Sequence, residues 1–350
     1  MTGSKLKITV LYDLWEDEPT DVPEEAPVPR KGPKKRAKKP PKHDREEIFE
    51  ALEKLGHEPS YYVLDGRPQS LVGLAKCGAD LIFNLTESYA GDDTKEMHVT
   101  AFLDLLDIPY TGAGPHAHIL AQDKSIAKKI FAFYGIQSPY FATAYRGHID
   151  HADDIAFPLI VKPTSEDGSI GIDAAAVVTS VKELMERVSY IQTEFDSPAL
   201  IEEYIEGREL YVSVLGNHRL RVFPPREIFF DQVPDDVPKF ATYHAKWNGN
   251  YRKRWGIKNG AAKELPEGTI EDLADLGRKV YRLLKIRGFG RVDVRLTPKG
   301  EVFVIEANPN PSLAEDEDFA RSASDAGVAY DALIQEILDS AFARHDREPS

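Results

Sequence analysis

The stretch that sets the reading runs Gly290-Arg291-Val292-Asp293-Val294-Arg295-Leu296, then Thr297-Pro298-Lys299-Gly300, then Glu301-Val302-Phe303-Val304-Ile305-Glu306-Ala307-Asn308. Two valine-rich runs flanking a Pro-Gly turn read as a β-hairpin. In the first run polar residues alternate with valines, so Arg291 and Asp293 share one face. In the second, Val302 to Ile305 is continuously apolar, and Glu306 and Asn308 then fall together on one face. A carboxylate that ends an apolar strand is costly to desolvate unless something positive meets it. Asp293, Glu306 and Asn308 are hard oxygen donors, the kind Mg²⁺ selects when it also holds phosphate oxygens. The competing reading is a surface hairpin with solvated charges. The run Val-Phe-Val-Ile-Glu argues against it, because strands with one wet face alternate throughout.

Working outward, the chain alternates strand-like and helix-like segments. Leu6–Tyr12, Tyr61–Leu64 and Asp80–Leu85 read as strands. Ile48, Phe49, Leu52 and Leu55 form one helical face closed by Gly56, and a helix is expected over 95–106. This pattern predicts a small doubly wound α/β sheet at the N-terminus. Further on, 125–133 and 181–191 read as helices, and Phe157–Val161, Ala199–Tyr204 and Glu209–Gly216 as strands. A long helix follows, with Thr269 as its cap, Asp272 in the capping-box position, and an apolar stripe of Ile270, Leu273, Leu276, Val280, Leu283 and Leu284. A helix over 330–343 closes the chain. The expected division is 1–112, 113–201 and 202–345.

The 350 residues carry 44 Lys plus Arg against 58 Asp plus Glu, a net charge of −14. One stretch departs from this mean: from Asp13 to Arg45 an acidic block gives way to a basic one with Pro33, Pro40 and Pro41, and it reads as a mobile loop. No aromatic side chain interleaves with its lysines to stack on bases, so no nucleic-acid partner is expected. No run approaches ~18 apolar residues, so no membrane span is expected. The opening residues show no signal-peptide core, and the expected location is cytoplasmic. A lone cysteine, Cys77, excludes an intramolecular disulfide framework and a cysteine-built metal site.

Two lysines stand where buried elements end. Lys162 closes the strand FPLIVK, and Lys124 opens a helix behind Asp123. Taken singly, each is a surface lysine with its stem on apolar neighbours. The segment after Lys162, Thr164-Ser165-Glu166-Asp167-Gly168-Ser169-Ile170-Gly171, offers glycines and hydroxyls that let backbone N–H groups close on phosphate oxygens. It has neither Walker A nor Rossmann spacing. The strand Leu200–Ile205 and the following Glu209 could serve an adenine edge and a ribose.

In this order, NLTESYAG, DIPYTGAG, QDKSIAKK, FPLIVKPTSEDGSIG, LIEEYIEGREL, AKW, GFGRVDVRL and VIEANPNPSL resemble the ATP-grasp superfamily, most closely its D-alanine–D-alanine ligase branch, from about Asp80 to Ala343. The resemblance implies an α/β ATP-grasp fold with an N-terminal α/β domain, a central lid domain and a C-terminal domain for metal and nucleotide. It implies ATP and two Mg²⁺ ions, for which Mn²⁺ can substitute, and small-molecule carboxylate and amine substrates of the amino-acid class. It also implies a homodimer. Carried over by position, Lys124 and Lys162 hold the α and β phosphates. The Ser165–Gly171 loop, with Gly168 and the matching Ser169, covers the phosphates. Glu202 and the backbone of Glu203, Tyr204 and Ile205 face adenine, and Glu209 bonds the ribose. Lys246 closes on the γ-phosphate, Arg291 stabilises the transferred phosphoryl, and Asp293, Glu306 and Asn308 bind the metal ions.

Departures from the family pattern lie on the substrate side. Tyr12-Asp13-Leu14-Trp15-Glu16-Asp17 stands where the family has a glycine-rich loop for the first D-alanine, and Gly168 replaces a serine. Glu317 and Asp318 fall at the Ser-Leu pair that receives a carboxylate, which suits a cationic acceptor. The expected activity is therefore an ATP- and Mg²⁺-dependent carboxylate–amine ligase working through an acylphosphate. The alternatives are an authentic D-alanine–D-alanine ligase, an ATP-grasp kinase and a non-catalytic ATP-binding protein.

Overall fold

The computed structural model describes residues 5–13, 43–145, 148–150, 156–164, 168–234 and 237–345. Most of the charged stretch 13–45 therefore lies outside the described residues, as does Ser165.

Among the described residues the strands form three sheets. The first is built from β1 (Lys7–Asp13), α1 (Asp44–Lys54), β2 (Glu58–Leu64), α2 (Pro68–Leu74), β3 (Leu81–Asn84) and α3 (Glu96–Leu106). Its strands run parallel in the order β2-β1-β3. Residue alternation sends Ile8 and Val10 to one face, with Ile48 and Leu52 of α1, and Leu11 to the other, with Val99 and Leu103 of α3. Helices cover both faces, as doubly wound packing requires.

The second sheet follows α4 (Pro115–Gln122) and α5 (Lys124–Phe133). It contains β4 (Phe141–Tyr145), β5 (His148–Asp150), β6 (Leu159–Pro163), β7 (Val177–Val178) and β8 (Ala199–Glu203), backed by α6 (Val181–Glu194). The order is β5-β4-β8-β6-β7, antiparallel throughout. Val188 and Ile191 of α6 pack on Leu159, Val161 and Ile201.

The third sheet holds β9 (Arg208–Leu215), β10 (Arg221–Val222), β11 (Arg226–Phe230), β12 (Ile257–Ala261), β13 (Phe289–Leu296) and β14 (Val302–Asn308), in the order β12-β11-β9-β13-β14 with β10 beside β9. The helices of this part are α7 (Tyr243–Trp247), α8 (Gly249–Trp255), α9 (Thr269–Leu283), α10 (Asp318–Asp325) and α11 (Tyr330–His345). Leu333, Ile334 and Ile337 of α11 share a core with Ile8, Val10 and Phe83, so the chain end packs on the first sheet. No described helix is long and apolar enough to cross a membrane.

Two local expectations fail at α9. Its cap is Gly268, in the left-handed region at φ +80°, with no side-chain capping bond; Thr269 is buried inside the first turn. Ile270 sits at the margin of the stripe and is exposed, whereas Leu273, Val280 and Leu284 are buried.

The register of the last ribbon decides where its charges point. Arg291 pairs with Asn308, Val292 with Ala307 and Asp293 with Glu306, but Val294 pairs with Val304. Ile305 is therefore an extra residue on β14, a β-bulge. Strict alternation would put Glu306 and Asn308 on the face of Val304, inside the core shared with Val292, Val294 and α9. The bulge reverses the sides, so Ala307 enters that core and Glu306 and Asn308 join Arg291 and Asp293. Deleting Ile305 should return Glu306 to the apolar face and cost about 3–5 kcal/mol of stability through an uncompensated buried charge. Urea denaturation checks this; stability like that of the parent chain would contradict the register argument.

Candidate active site

Lysines from two elements meet beside this ribbon. The Asp123 carboxylate caps α5, accepting from the Ser125 and Ile126 N–H groups at 2.9 and 3.0 Å. The first turn so fixed places Lys124 Nζ 3.5 Å from Glu306 Oε2. One turn on, Lys128 Nζ lies 2.7 Å from Glu202 Oε1. From β6, Lys162 Nζ lies 2.7 Å from Glu202 Oε2. Lys128 escapes the sequence reading because a lysine is ordinarily a surface residue; the spacing of Lys124 and Lys128 on one helical face was the available signal.

Across the ribbon, Arg291 grips Asp293 with two donors, Nε at 2.7 Å and Nη2 at 2.8 Å, and its guanidinium stacks 4.8 Å from the centre of the Tyr211 ring. Burial pushes the Asp293 carboxyl above its ordinary range, and the facing Glu306 adds to the rise against the pull of Arg291. Burial acts on Glu306 too, but Lys124, Lys246, Lys162 and Arg291 outweigh it and hold that carboxyl down at about 2. Asn308 is locked by Asn310, whose backbone N–H donates to Asn308 Oδ1 at 2.7 Å. The Asn310 side chain donates in turn to Glu96 Oε1 at 2.7 Å and to the Thr86 carbonyl at 3.0 Å. Neither Asn310 nor Glu96 was legible beforehand, since 214 positions separate them.

The two loops expected to cover phosphates touch each other. Gly168 and Ser169 are both left-handed, at φ +61° and +65°. The Ser169 hydroxyl donates to the Ala241 carbonyl at 2.8 Å, and the Trp247 ring N–H donates to the Gly168 carbonyl at 2.8 Å. Lys246, on α7, is thereby held on the same side of the cleft, close enough for its charge to act on Asp293 and Glu306.

The side chains of the segment expected to face the nucleotide also make contacts within the protein. The Glu202 carboxylate, expected at adenine, is fully buried between the Lys128 and Lys162 ammoniums. The Glu203 and Tyr204 N–H groups already donate to the Tyr140 and Pro158 carbonyls, at 3.0 and 2.9 Å, so of the three expected residues Ile205 is the candidate N–H donor, while backbone carbonyls of the segment could accept from an adenine amino group. Glu209, expected at the ribose, accepts from the Tyr211 hydroxyl at 3.1 Å and from Ala241 N–H and Arg295 at 3.2 Å. On the acceptor side Asp318 is buried against Arg226 at 3.0 Å and is bonded by Asn259, so its charge is spent within the protein; Glu317 beside it is exposed.

Asp293, Glu306 and Asn308 offer oxygen alone, with two carboxylates directly opposite in a ladder where like charges repel. That set fits a hard divalent cation. The set consists of two carboxylates and one amide; no group of three or more His, Cys, Asp or Glu that could hold a metal gathers among the described residues.

The family model for the D-ala D-ala ligase C-terminus matches residues 130–339. The chain belongs to the D-alanine–D-alanine ligase family. It is 31% identical over 300 residues to the D-alanine–D-alanine ligase of Carboxydothermus hydrogenoformans, covering 83% of this chain and 90% of that one. It is 31% identical over 306 residues to the uncharacterized protein y4sG of Sinorhizobium fredii, covering 85% and 87%. A crystal structure of D-alanine–D-alanine ligase from Bacillus anthracis complexed with ATP superposes with a TM-score of 0.73 at 22% identity, covering 99% of this chain and 100% of that one. Like the D-alanine–D-alanine ligases, the chain has the ATP-grasp fold and is an ATP-dependent ligase that forms C–N bonds.

The charge balance at Glu306 yields a pH prediction. Its folded-state value lies below the ordinary 4.5, so its ionisation contributes stability that is complete above 4.5 and lost as pH falls toward 2. Lys124→Met should raise the Glu306 titration toward 4.5 in carbon-13 NMR and narrow that window; an unmoved titration would contradict the pairing.

Proposed function

We propose that this ligase joins a carboxylate to an amine of the amino-acid class through an acylphosphate, with Mg²⁺ held by Asp293, Glu306 and Asn308. The observation that carries the proposal is the convergence of positive charge on the Asp293–Glu306 pair: Lys124 lies 3.5 Å from Glu306 and Arg291 2.7 Å from Asp293, and the charges of Lys162 and Lys246 also act on Glu306. Phosphoryl transfer needs positioned cations more than covalent help from the protein. Lys124 and Lys162 would take the α and β phosphates, and Lys246 the γ-phosphate, under the loop carrying Ser169 and Gly168. Bound Mg²⁺ would neutralise charge on the phosphate oxygens. Arg291, rigid on Asp293 and Tyr211, would stabilise negative charge on the transferred phosphoryl and on the tetrahedral intermediate, as fixed donors in a dry site do. The amine displaces phosphate from the acylphosphate and yields an amide.

The second reading, D-alanine as both substrates, is favoured by relatives at 30–31% identity that bear the name D-alanine–D-alanine ligase. Against it stand Glu317 and Asp318 where the family pattern receives a carboxylate. With Asp318 held by Arg226, Glu317 remains as the acidic group that would select a cationic acceptor.

Purified protein supplied with ATP, Mg²⁺ and pairs of amino acids and amines should release ADP and phosphate and give an amide seen by mass measurement. Hydroxylamine should divert the intermediate to a hydroxamate; phosphate transfer without hydroxamate would point to a kinase instead. Lys162→Ala and Glu306→Ala should each lower turnover by about a thousandfold or more with the fold kept, as expected when positioned charges are removed from phosphoryl transfer. Unchanged turnover in either would remove that residue from the mechanism.

A further inference from the structure

We infer that Lys128 is a positioning residue for nucleotide binding: it keeps Glu202 neutralised, so that Lys162 is free to leave that carboxylate for a phosphate. The inference rests on the ligase reading above and concerns a residue outside its set. Glu202 is 1% exposed and each of its oxygens meets a different ammonium at 2.7 Å, Lys128 on one side and Lys162 on the other. Two buried ammoniums share this one carboxylate, and Glu306 is the next carboxylate whose charge reaches them, so a phosphate can take over Lys162 while Lys128 keeps Glu202 paired. Lys162 ends a strand beside the cleft. Both lysines are buried, Lys162 at 3% and Lys128 at 1% exposure, but it is Lys162 whose charge counts among those holding Glu306 down, and Lys128 acts through Glu202 rather than on a ligand. Burial pushes the Lys128 ammonium down, and Glu202 opposes that drop. Burial likewise raises Glu202, but Lys128 and Lys162 outweigh it, so the carboxylate stays ionised.

The consequence is a division of labour. When Lys162 swings to a phosphate, Glu202 keeps Lys128 and no bare charge is stranded in the interior. Without Lys128, the same movement would leave an unpaired buried carboxylate, and Lys162 would stay locked to Glu202. A merely structural ion pair predicts something different: its loss would loosen the fold and weaken every ligand alike.

The test compares AMP-PNP with Mg²⁺ against adenosine, by calorimetry or ligand NMR, on the full chain. Lys128→Met should weaken AMP-PNP by about a hundredfold, the scale set by stranding a buried charge. Adenosine, which has no phosphate for Lys162, should bind as it does to the parent protein. Adding Glu202→Gln to Lys128→Met removes the trapping carboxylate and should recover at least about tenfold of the AMP-PNP affinity. AMP-PNP binding unchanged in Lys128→Met, equal losses for both ligands, or no recovery in the double variant would overturn the inference. Should Lys128→Met fail to fold, Lys128→Arg keeps the charge and must bind AMP-PNP within a few-fold of the parent, and the double variant must bind it within about tenfold of the parent; failure of either would overturn the inference. A parent protein that binds no AMP-PNP would instead refute the ligase reading itself.

Discussion

The one-residue bulge at Ile305 is the constraint on which the site depends. A strand has period two, so a polar residue inserted in an apolar run keeps the side its parity dictates. Val302 and Val304 face the core beneath the ribbon, and parity alone would bury Glu306 and Asn308 with them. The extra residue turns both outward, opposite Asp293 and Arg291 on a neighbouring strand that needs no bulge because it alternates cleanly. The continuous apolar run that looked like a fully buried strand is the trace of this device: one residue in it is unpaired. The edge it leaves is covered in part by Gln137, whose carbonyl accepts from the Val304 N–H at 2.9 Å.

Once turned outward, the two carboxylates face each other and repel. The fold answers with positive charge from separate elements: Lys124 from the first turn of a capped helix, Lys162 from a strand end, Lys246 from a short helix in a loop, and Arg291 from the ribbon itself. These cations hold Glu306 ionised while Asp293 is crowded upward by burial. The arrangement is satisfied within itself, yet its members are those a nucleotide and its metal would engage, so binding exchanges partners rather than creating charges in a dry interior. Preorganised charge of this kind costs no rearrangement at the moment of reaction.

Much of this was legible in the sequence where periodicity speaks. The first strand, the helix at 44–54 and the hairpin follow from alternation and helical spacing, and the motif order pointed to the family and its ATP-grasp fold. What escaped has physical reasons. The cap at Thr269 looked right by composition, but a left-handed glycine one residue earlier starts the helix and buries the threonine. The strand at 226–230 is a short run flanked by prolines and polar residues, and its identity comes from pairing with β9 and β12. A sequence position does not say which cation will reach a carboxylate, so the pairing of Glu202 with Lys128 and of Asp318 with Arg226 appears only in the fold. Lys128, Asn310 and Glu96 are significant through contacts between distant segments, which one sequence does not display.

The central claim is that Asp293, Glu306 and Asn308 hold divalent ions against a triphosphate gripped by lysines. The most direct measurement is a crystal structure grown with a non-hydrolysable ATP analogue and Mn²⁺. Anomalous scattering peaks are expected within bonding distance of all three side chains, with phosphate oxygens beside the Lys124 and Lys162 ammoniums. Density for the nucleotide with no manganese at the ribbon, or with its phosphates away from those lysines, would contradict it.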